Sequence, residues 1–483
     1  MSTSAKVTAR QRIENLLDDN SFVEIGAYVK ARNTDFNIQA KDTPSDGVIT
    51  GYGVINGKLV YVYSQDASVL GGSVGEMHAK KIASLYDMAM KTGSPVIGLI
   101  DSTGLRLQES VDGLNAFGQI YMKQSLASGV IPTVTAIFGN CGGGLSIVAG
   151  LSDFTFMEVE NAQLFVNSPN AITENRKEIC DNASAKFQSE EAGNVDFVGT
   201  EAEVIEGIRN LVSVLPSNNE DEASDLECYD DLNRAAEGIE NCGEDTLLAL
   251  ENISDDGFII EVKRNYAPEM VTAFIKLNGA TVGAVANRTK VYDDDMNVAA
   301  EFDAKLTAKG CNKAAEFVNF CDAFNIPVLT LTNVNGFAAT MCQEKNGAKA
   351  SSKLVYAFAN ATVPKVNLII GDAIGSAYVT MNSKATGADI VYAWPTAKVG
   401  MMEAKSAVEI MYADEIANGD ANQVINEKVA EYQNLQGSVM AAAARGYVDS
   451  IVEPVDTRKY LIGAFEMLYT KFEERPGKKH GTV

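Results

Sequence analysis

Apolar and polar positions along the chain fall into three patterns, each of which predicts a different element. Residues 7–17 (VTARQRIENLL) place Ile13, Leu16 and Leu17 on one face at helical spacing, which predicts an amphipathic helix. Gly47 to Ser64 reads as two strands joined at Asn56-Gly57, the dipeptide that a type I′ hairpin turn favours. A helix is predicted from about Val74 to Lys91, rich in Met, Ala and Leu at inward spacing. The short unbroken apolar runs Val96–Ile100 and Val134–Phe138 predict buried parallel strands. The pattern weakens from Asn167 to Thr200 and resumes with a helix from Glu201 to Val214.

The Pro-, Asn- and acid-rich run from Pro216 to Asn233 then reads as a surface linker, giving domains of 1–232 and 233–483. Beyond it come a helical stretch at 243–252, a strand at Phe258–Val262 and a second hairpin at Asn278-Gly279. A helix at Asn312–Ala323 and a strand at Val328–Thr332 follow. The stretch from Ala441 reads as a helix, a turn at Arg445-Gly446 and a last strand, before a basic tail from Pro476.

The second half repeats the first. Pro132 and Pro364, Gly139 and Gly371, and Gly143 and Gly375 are all related by one constant offset in the chain. SPVIGLIDSTG, ending at Gly104, matches IPVLTLTNVNG, ending at Gly336, with the same offset, as does Lys81 with Lys313. A spacing this long indicates a duplicated domain rather than a solenoid. In each half a buried strand breaks into glycines and re-enters as a helix. That arrangement leaves N–H groups unpaired at the helix start that can hold an anion; a tight turn packed closely for steric reasons is the alternative. Two such turns suit a reaction that develops an oxyanion on each of two reactants.

Composition narrows the class. With 483 residues, 46% hydrophobic and 22% charged, the chain is ordinary globular protein. The net charge of −24 argues against nucleic acid as a partner, so an anionic ligand must be held by local cations and amides. The seven cysteines include no C-x-x-C pair, which argues against a disulfide framework or a zinc ribbon and for the cytoplasm. No apolar run is long enough to span a bilayer and the N-terminus carries no apolar leader, so neither membrane insertion nor secretion is expected. Only His78 and His480 are available to a Ser-His-Asp triad, which makes one unsupported. Lys80 and Lys81, in the first turns of the 74–91 helix, either meet a phosphate or are solvated, and His78 beside them reads as structural. Arg106 is a candidate anion ligand; an ion pair with Glu109 is the alternative.

Taken together, DGVITGYGVINGKLVYVYSQD, GGSVGEMHAKKI, LASGVIPTVTAIFGNCGGG, CDAFNIPVLTLTNVNGF, ATVPKVNLIIGDAIGSAYVTMNSKATGADIVYAWPTA and ARGYVDSIVEP carry a resemblance over nearly the whole chain. The sequence resembles the carboxyltransferase subunits of biotin-dependent acyl-CoA carboxylases, transcarboxylases and decarboxylases, particularly the propionyl-CoA/methylmalonyl-CoA group. The resemblance implies an α/β fold of two duplicated crotonase-like (ClpP/crotonase) domains, each a superhelix of ββα units. It puts acyl-CoA on the N-terminal domain, and biotin on the C-terminal domain of a neighbouring subunit in a dimer-based hexamer. By resemblance Gly143 and Gly144 face the thioester oxygen, while Gly375, Ser376 and the Ala377 amide face the biotin ureido oxygen. Substrate and biotin binding fall at Gly104, Arg106, Lys80 and Lys81, and at Gly336, Phe337 and Val379, where Val379 occupies a position that varies with acyl chain. No metal is implied. Biotin would come on a separate carrier protein, with a biotin carboxylase or a membrane decarboxylase subunit as further partner.

The chain also departs from the family pattern. Leu105 stands for an alanine, Gly142 stands where alanine is common, and Gly375-Ser376 replaces Gly-Gly. Asn335-Gly336-Phe337-Ala338-Ala339-Thr340 replaces P-G-F-L-P-G, and Lys349-Ala350-Ser351-Ser352 replaces R-H-G-A, both where biotin is expected to enter. These changes motivate an alternative, a non-catalytic paralogue that binds CoA or scaffolds a complex.

Overall fold

The computed structural model of the protein describes residues 7–34, 42–173, 181–221, 228–293 and 295–477. His480, Cys180, residues 222–227 of the acid-rich run and residues 478–483 of the tail lie outside the described residues. The chain divides into two compact units, Met1–Ala223 and Ser224–Val483.

The first unit opens with α1 (Ala9–Leu16), where Thr8 and Gln11 close a reciprocal capping box and Ile13 and Leu16 are buried. The strands β1 (Val23–Ile25), β2 (Val48–Ile55) and β3 (Lys58–Gln65) pair antiparallel. The β2–β3 turn is the expected one: Asn56 and Gly57 both take positive φ (49° and 81°). The Asp18 carboxylate accepts from both of their amides at 3.1 Å. Helix α2 (Glu76–Thr92) ends on Gly93 in the left-handed conformation.

There follow β4 (Val96–Ile100), α3 (Ser110–Ala127), β5 (Thr133–Ile137), β6 (Asn140–Gly142) and α4 (Gly144–Gly150). The unit closes with β7 (Phe154–Glu158), β8 (Gln163–Phe165), β9 (Phe197–Gly199) and α5 (Glu201–Val214). The main sheet runs β1-β2-β3-β4-β5-β7-β9, and every neighbour from β3 onward is parallel. β6 and β8 form a separate parallel pair beside it. Tyr63, Leu85, Tyr86, Ile100, Phe117 and Met157 belong to the buried core, which explains why β4 and β5 read as unbroken apolar runs.

The second unit begins with α6 (Thr246–Ile253), then β10 (Ile259–Val262), β11 (Met270–Leu277), β12 (Ala280–Asn287) and a ribbon of β13 (Lys290–Tyr292) with β14 (Val298–Glu301). Next are α7 (Ala308–Ala323), β15 (Val328–Asn335), α8 (Met341–Asn360), β16 (Lys365–Ile374), α9 (Gly375–Thr380), β17 (Ile390–Ala393) and β18 (Lys398–Gly400). The unit ends with α10 (Ala404–Met411), α11 (Ala413–Asn418), α12 (Ala421–Tyr432), α13 (Val439–Ala443), β19 (Ser450–Ile451) and α14 (Thr457–Leu468). Its sheet runs β10-β11-β12-β15-β16-β17-β19, with β18 also pairing β16.

The repeat holds at the level of register. Val96 pairs Thr133 across β4–β5 and Val328 pairs Lys365 across β15–β16, both members shifted by the offset that relates Gly104 to Gly336. The two hairpins, Asn56-Gly57 and Asn278-Gly279, stand closer together than that offset. The difference lies between hairpin and helix, where the stretch 288–307 in the second unit replaces the shorter 66–75 in the first. The β13–β14 ribbon occupies that insertion. Among the described residues no helix is long and apolar enough to cross a membrane.

Candidate active site

The carboxyl ends of β4 and β5 carry the first candidate site. Leaving β4, the chain turns at Gly104, whose φ of 94° is available only at a cost to other residues. The turn is pinned to the segment ahead of α2: Val74 N–H donates to the Gly104 carbonyl at 2.8 Å and Arg106 N–H to the Val74 carbonyl at 2.9 Å. Leaving β5, Gly139 passes over the Asp101 side chain so closely that a Cβ there would lie 2.6 Å from the carboxyl carbon. Residues 140–142 then form β6, and Gly143 turns into α4 with φ 60° and ψ −125°.

The turn is fixed on three sides. Gly143 N–H donates to the Phe165 carbonyl at 2.9 Å, Ser146 Oγ donates to the Gly143 carbonyl at 2.7 Å, and Tyr121 Oη donates to the Gly144 carbonyl at 2.7 Å. Gly143 and Gly144, the two residues expected to face the thioester oxygen, differ in what their amides do. The Gly143 amide is spent on β8, whereas Gly144 is the first residue of α4 and has no intrahelical acceptor for its N–H.

These turns border a cavity of about 700 Å³ lined by residues that include Gly104, Leu105, Gly142, Gly143, Gly144 and Phe165. It lies wholly in the first unit and falls in the size range of small-molecule pockets.

The charged candidates lie elsewhere. Arg106 is 1% exposed and absent from the cavity lining. Its guanidinium donates to Asp46 at 2.6 Å, Glu109 at 2.8 Å and the Ser73 carbonyl at 2.7 Å. The structural alternative left open by the sequence is what the structure shows: an anion would have to displace two buried carboxylates to reach Arg106. Burial pushes the Asp46 carboxyl up in pKa against the pull of Arg106. Lys81 is also buried, and it donates to the Ser45 carbonyl at 2.9 Å, the Ser45 hydroxyl at 2.7 Å and the Val48 carbonyl. Burial lowers its pKa to about 8. It therefore staples the segment ahead of β2 instead of meeting a phosphate. Lys80 is exposed and pairs with Glu76 at 2.8 Å. His78 is fully buried between Gln65 Nε2, 3.2 Å from its Nε2, and the Asp46 carbonyl, 3.0 Å from its Nδ1. Burial lowers its pKa to about 3, so it is neutral and structural.

The second unit reproduces the backbone device. Gly336 has φ 100° and Gly375 φ 67°. Leu306 N–H donates to the Gly336 carbonyl at 3.0 Å and Ala338 N–H to the Leu306 carbonyl at 2.9 Å, the same pair of bonds as at Val74, Gly104 and Arg106. Gly371 passes over Asn333, whose Oδ1 accepts the Asp372 N–H at 3.1 Å. Ser376 is exposed and Ala377 buried in the first turn of α9. Phe337 and Val379 are exposed apolar side chains. A Cβ at Gly336 would meet nothing within 4 Å.

Phe165 is a cavity residue that sequence reasoning missed. Gln163-Leu164-Phe165 is too short to show alternation, and it falls just before the weakly patterned stretch.

Fold and site together define a duplicated crotonase-like α/β protein. The chain matches the carboxyl transferase domain family over residues 2–483 and belongs to it. It is 39% identical to the methylmalonyl-CoA decarboxylase subunit alpha of Propionigenium modestum, over 99% of this chain and 93% of that protein. It is 38% identical to the propionyl-CoA carboxylase beta chain of Roseobacter denitrificans, over 99% and 94%. Among solved structures, it superimposes on a chain of transcarboxylase 12S, solved with methylmalonyl-coenzyme A and methylmalonic acid bound. The TM-score there is 0.92 at 38% identity, covering 98% of this chain and 91% of that one.

Proposed function

We propose that the protein is the carboxyltransferase subunit of a biotin-dependent acyl-CoA carboxylase, transcarboxylase or decarboxylase, acting on propionyl-CoA/methylmalonyl-CoA or a close homologue. One observation carries the reading: the full-length likeness to a transcarboxylase core solved with methylmalonyl-coenzyme A, joined to a cavity in the first unit bounded by the Gly104 and Gly143 turns.

In this reading the acyl-CoA thioester enters that cavity. The Gly144 amide faces the thioester oxygen and stabilises it as it takes on enolate charge. The Gly143–Phe165 bond and the Tyr121 hydroxyl hold that amide in place, so little reorganisation is needed when charge develops. The net charge of −24 repels the CoA phosphates, so amide donors matter more here than on a neutral surface.

Biotin, carried on a separate protein, supplies or takes up the carboxyl group. The residues of the second unit fit a flat, neutral ring. Open space lies at Gly336, Phe337 and Val379 are exposed apolar side chains, and Ser376 and Ala377 open a helix with N–H donors. Those residues would bind the ring and orient its ureido oxygen. The protein would work as a dimer-based oligomer, up to a hexamer, in the cytoplasm. It would act with a biotin carrier protein and with either a biotin carboxylase or a membrane decarboxylase subunit.

A second reading, a non-catalytic CoA-binding or scaffolding paralogue, rests on the changed segments 335–340 and 349–352. One assay separates the two. The purified protein is mixed with methylmalonyl-CoA or malonyl-CoA, with and without biotin, and loss of the CoA-ester carboxylate is followed. Biotin-dependent loss is the expected result. Tight CoA-ester binding without turnover under either condition would select the paralogue.

A further inference from the structure

The Gly142–Phe165 pair was not singled out by the sequence as a unit, yet the two residues face each other across β6–β8. A Cβ at position 142 would lie 2.6 Å from Phe165 Cζ, closer than real carbon contacts come. The Phe165 ring therefore occupies the space a methyl at 142 would need, and glycine at 142 is what lets it lie there. Gly142 lacks the positive φ of Gly143, so the constraint is the ring and not the chain. Both residues line the cavity together with Gly144, and the Phe165 carbonyl holds the Gly143 amide next to it in the chain.

We infer that Phe165, seated on Gly142, is a specificity-determining residue that limits the length of the acyl chain this protein accepts. The inference rests on the acyl-CoA reading of the cavity. A side chain next to the thioester oxygen borders the atoms joined to the thioester carbon, so its bulk is felt first by the acyl group. Removing the ring lengthens the pocket at that point. Adding a methyl at 142 drives the ring toward the cavity and shortens it. A difference of one methylene in an apolar pocket is commonly worth about ten-fold or more in selectivity.

The test compares wild type, Phe165→Ala and Gly142→Ala by calorimetric dissociation constants for CoA, propionyl-CoA and hexanoyl-CoA, with thermal midpoints to establish folding. Phe165→Ala is expected to lower the hexanoyl-to-propionyl ratio of dissociation constants at least about ten-fold, and Gly142→Ala to raise it. Unchanged ratios in both variants would overturn the inference, as would equal weakening of all three ligands, CoA included, which would place the ring on the CoA moiety. Binding is read without turnover. Failure of the carboxyltransferase reading would appear separately, as wild-type protein inactive on methylmalonyl-CoA with biotin.

Discussion

The two units build the same turn from the same backbone bonds and surround it with different side chains. At Gly104 and Gly336 the chain leaves its strand with φ of 94° and 100°, and each glycine carbonyl accepts an N–H from the segment just ahead of the preceding helix. Lys81 and Lys313 are both buried and both donate to carbonyls just ahead of the hairpin. Yet in the first unit the turn is braced by charge. Arg106 joins Asp46 and Glu109, and Arg12 reaches Asp101 at 3.3 Å and Glu201 at 2.9 Å. At the positions matching Arg106, Glu109 and Asp101 the second unit has Ala338, Met341 and the neutral Asn333. The backbone turn and its pair of bonds are shared by the two units, and the side chains around them differ. The first turn borders the cavity of about 700 Å³, and beside the second lie the exposed Phe337 and Val379.

The largest expected effect breaks the brace. Arg106→Ala leaves Asp46 and Glu109 buried without their cation and is expected to lower unfolding free energy by about 3–5 kcal/mol, measured by urea denaturation. Ala338→Arg, at the matching position of the second unit, has no such pair to complete and gives no gain. A CoA-ester affinity lost by Arg106→Ala without loss of stability would return Arg106 to the ligand.

Next in size are the turns themselves. Gly143→Val forces a branched side chain to φ 60° and displaces the Gly144 amide, and is expected to lower carboxyl-transfer turnover about 10²–10³-fold. Gly375→Val is expected to cost turnover similarly. Steady-state rates with methylmalonyl-CoA and biotin check both.

Smaller again is Asp101→Asn, which makes the residue under Gly139 resemble Asn333 under Gly371. It loses the Arg12 ion pair at a cost of about 1–3 kcal/mol, read as a lowered thermal midpoint. A midpoint equal to that of wild type would show the pair to be idle.

The smallest effect is a slope. Burial lowers the Lys313 pKa from 10.5 to about 7. Below pH 7 both folded and unfolded states carry the proton, and the native state bears the full cost of a buried ammonium. Between about 7 and 10.5 the unfolded chain holds more protons, so stability rises with pH. Lys81, at about 8, contributes in the same direction over the upper part of that window. Lys313→Met is expected to flatten the rise in urea midpoint across this window, and parallel profiles would contradict it.

Much of this architecture was legible in the sequence because its signals are local. The constant offset between the halves appears in the register of β4–β5 and β15–β16. Both Asn-Gly turns and the inward face of α1 stand where they were read, because dihedral preference and helical spacing need no tertiary information. The helix read from Asn312 begins a turn earlier, at Ala308, where Thr307 caps it. What was not legible depends on partners far away in sequence. Arg106 looks like an anion ligand until the distant Asp46 closes on it. Gly143 looks like a free donor until Phe165 takes its amide. The helices α11 and α12 carry no buried residue, so no core-facing stripe was there to read.

The central claim is that the two like turns serve different reactants, with acyl-CoA on the first. The measurement that tests it most directly is the dissociation constant of methylmalonyl-CoA for wild type, Gly143→Val and Gly375→Val, all three confirmed as folded. The account predicts that Gly143→Val alone weakens binding, by about ten-fold or more, while Gly375→Val binds as wild type does even though its turnover is lost. Weakening confined to Gly375→Val, or equal in both, would contradict it.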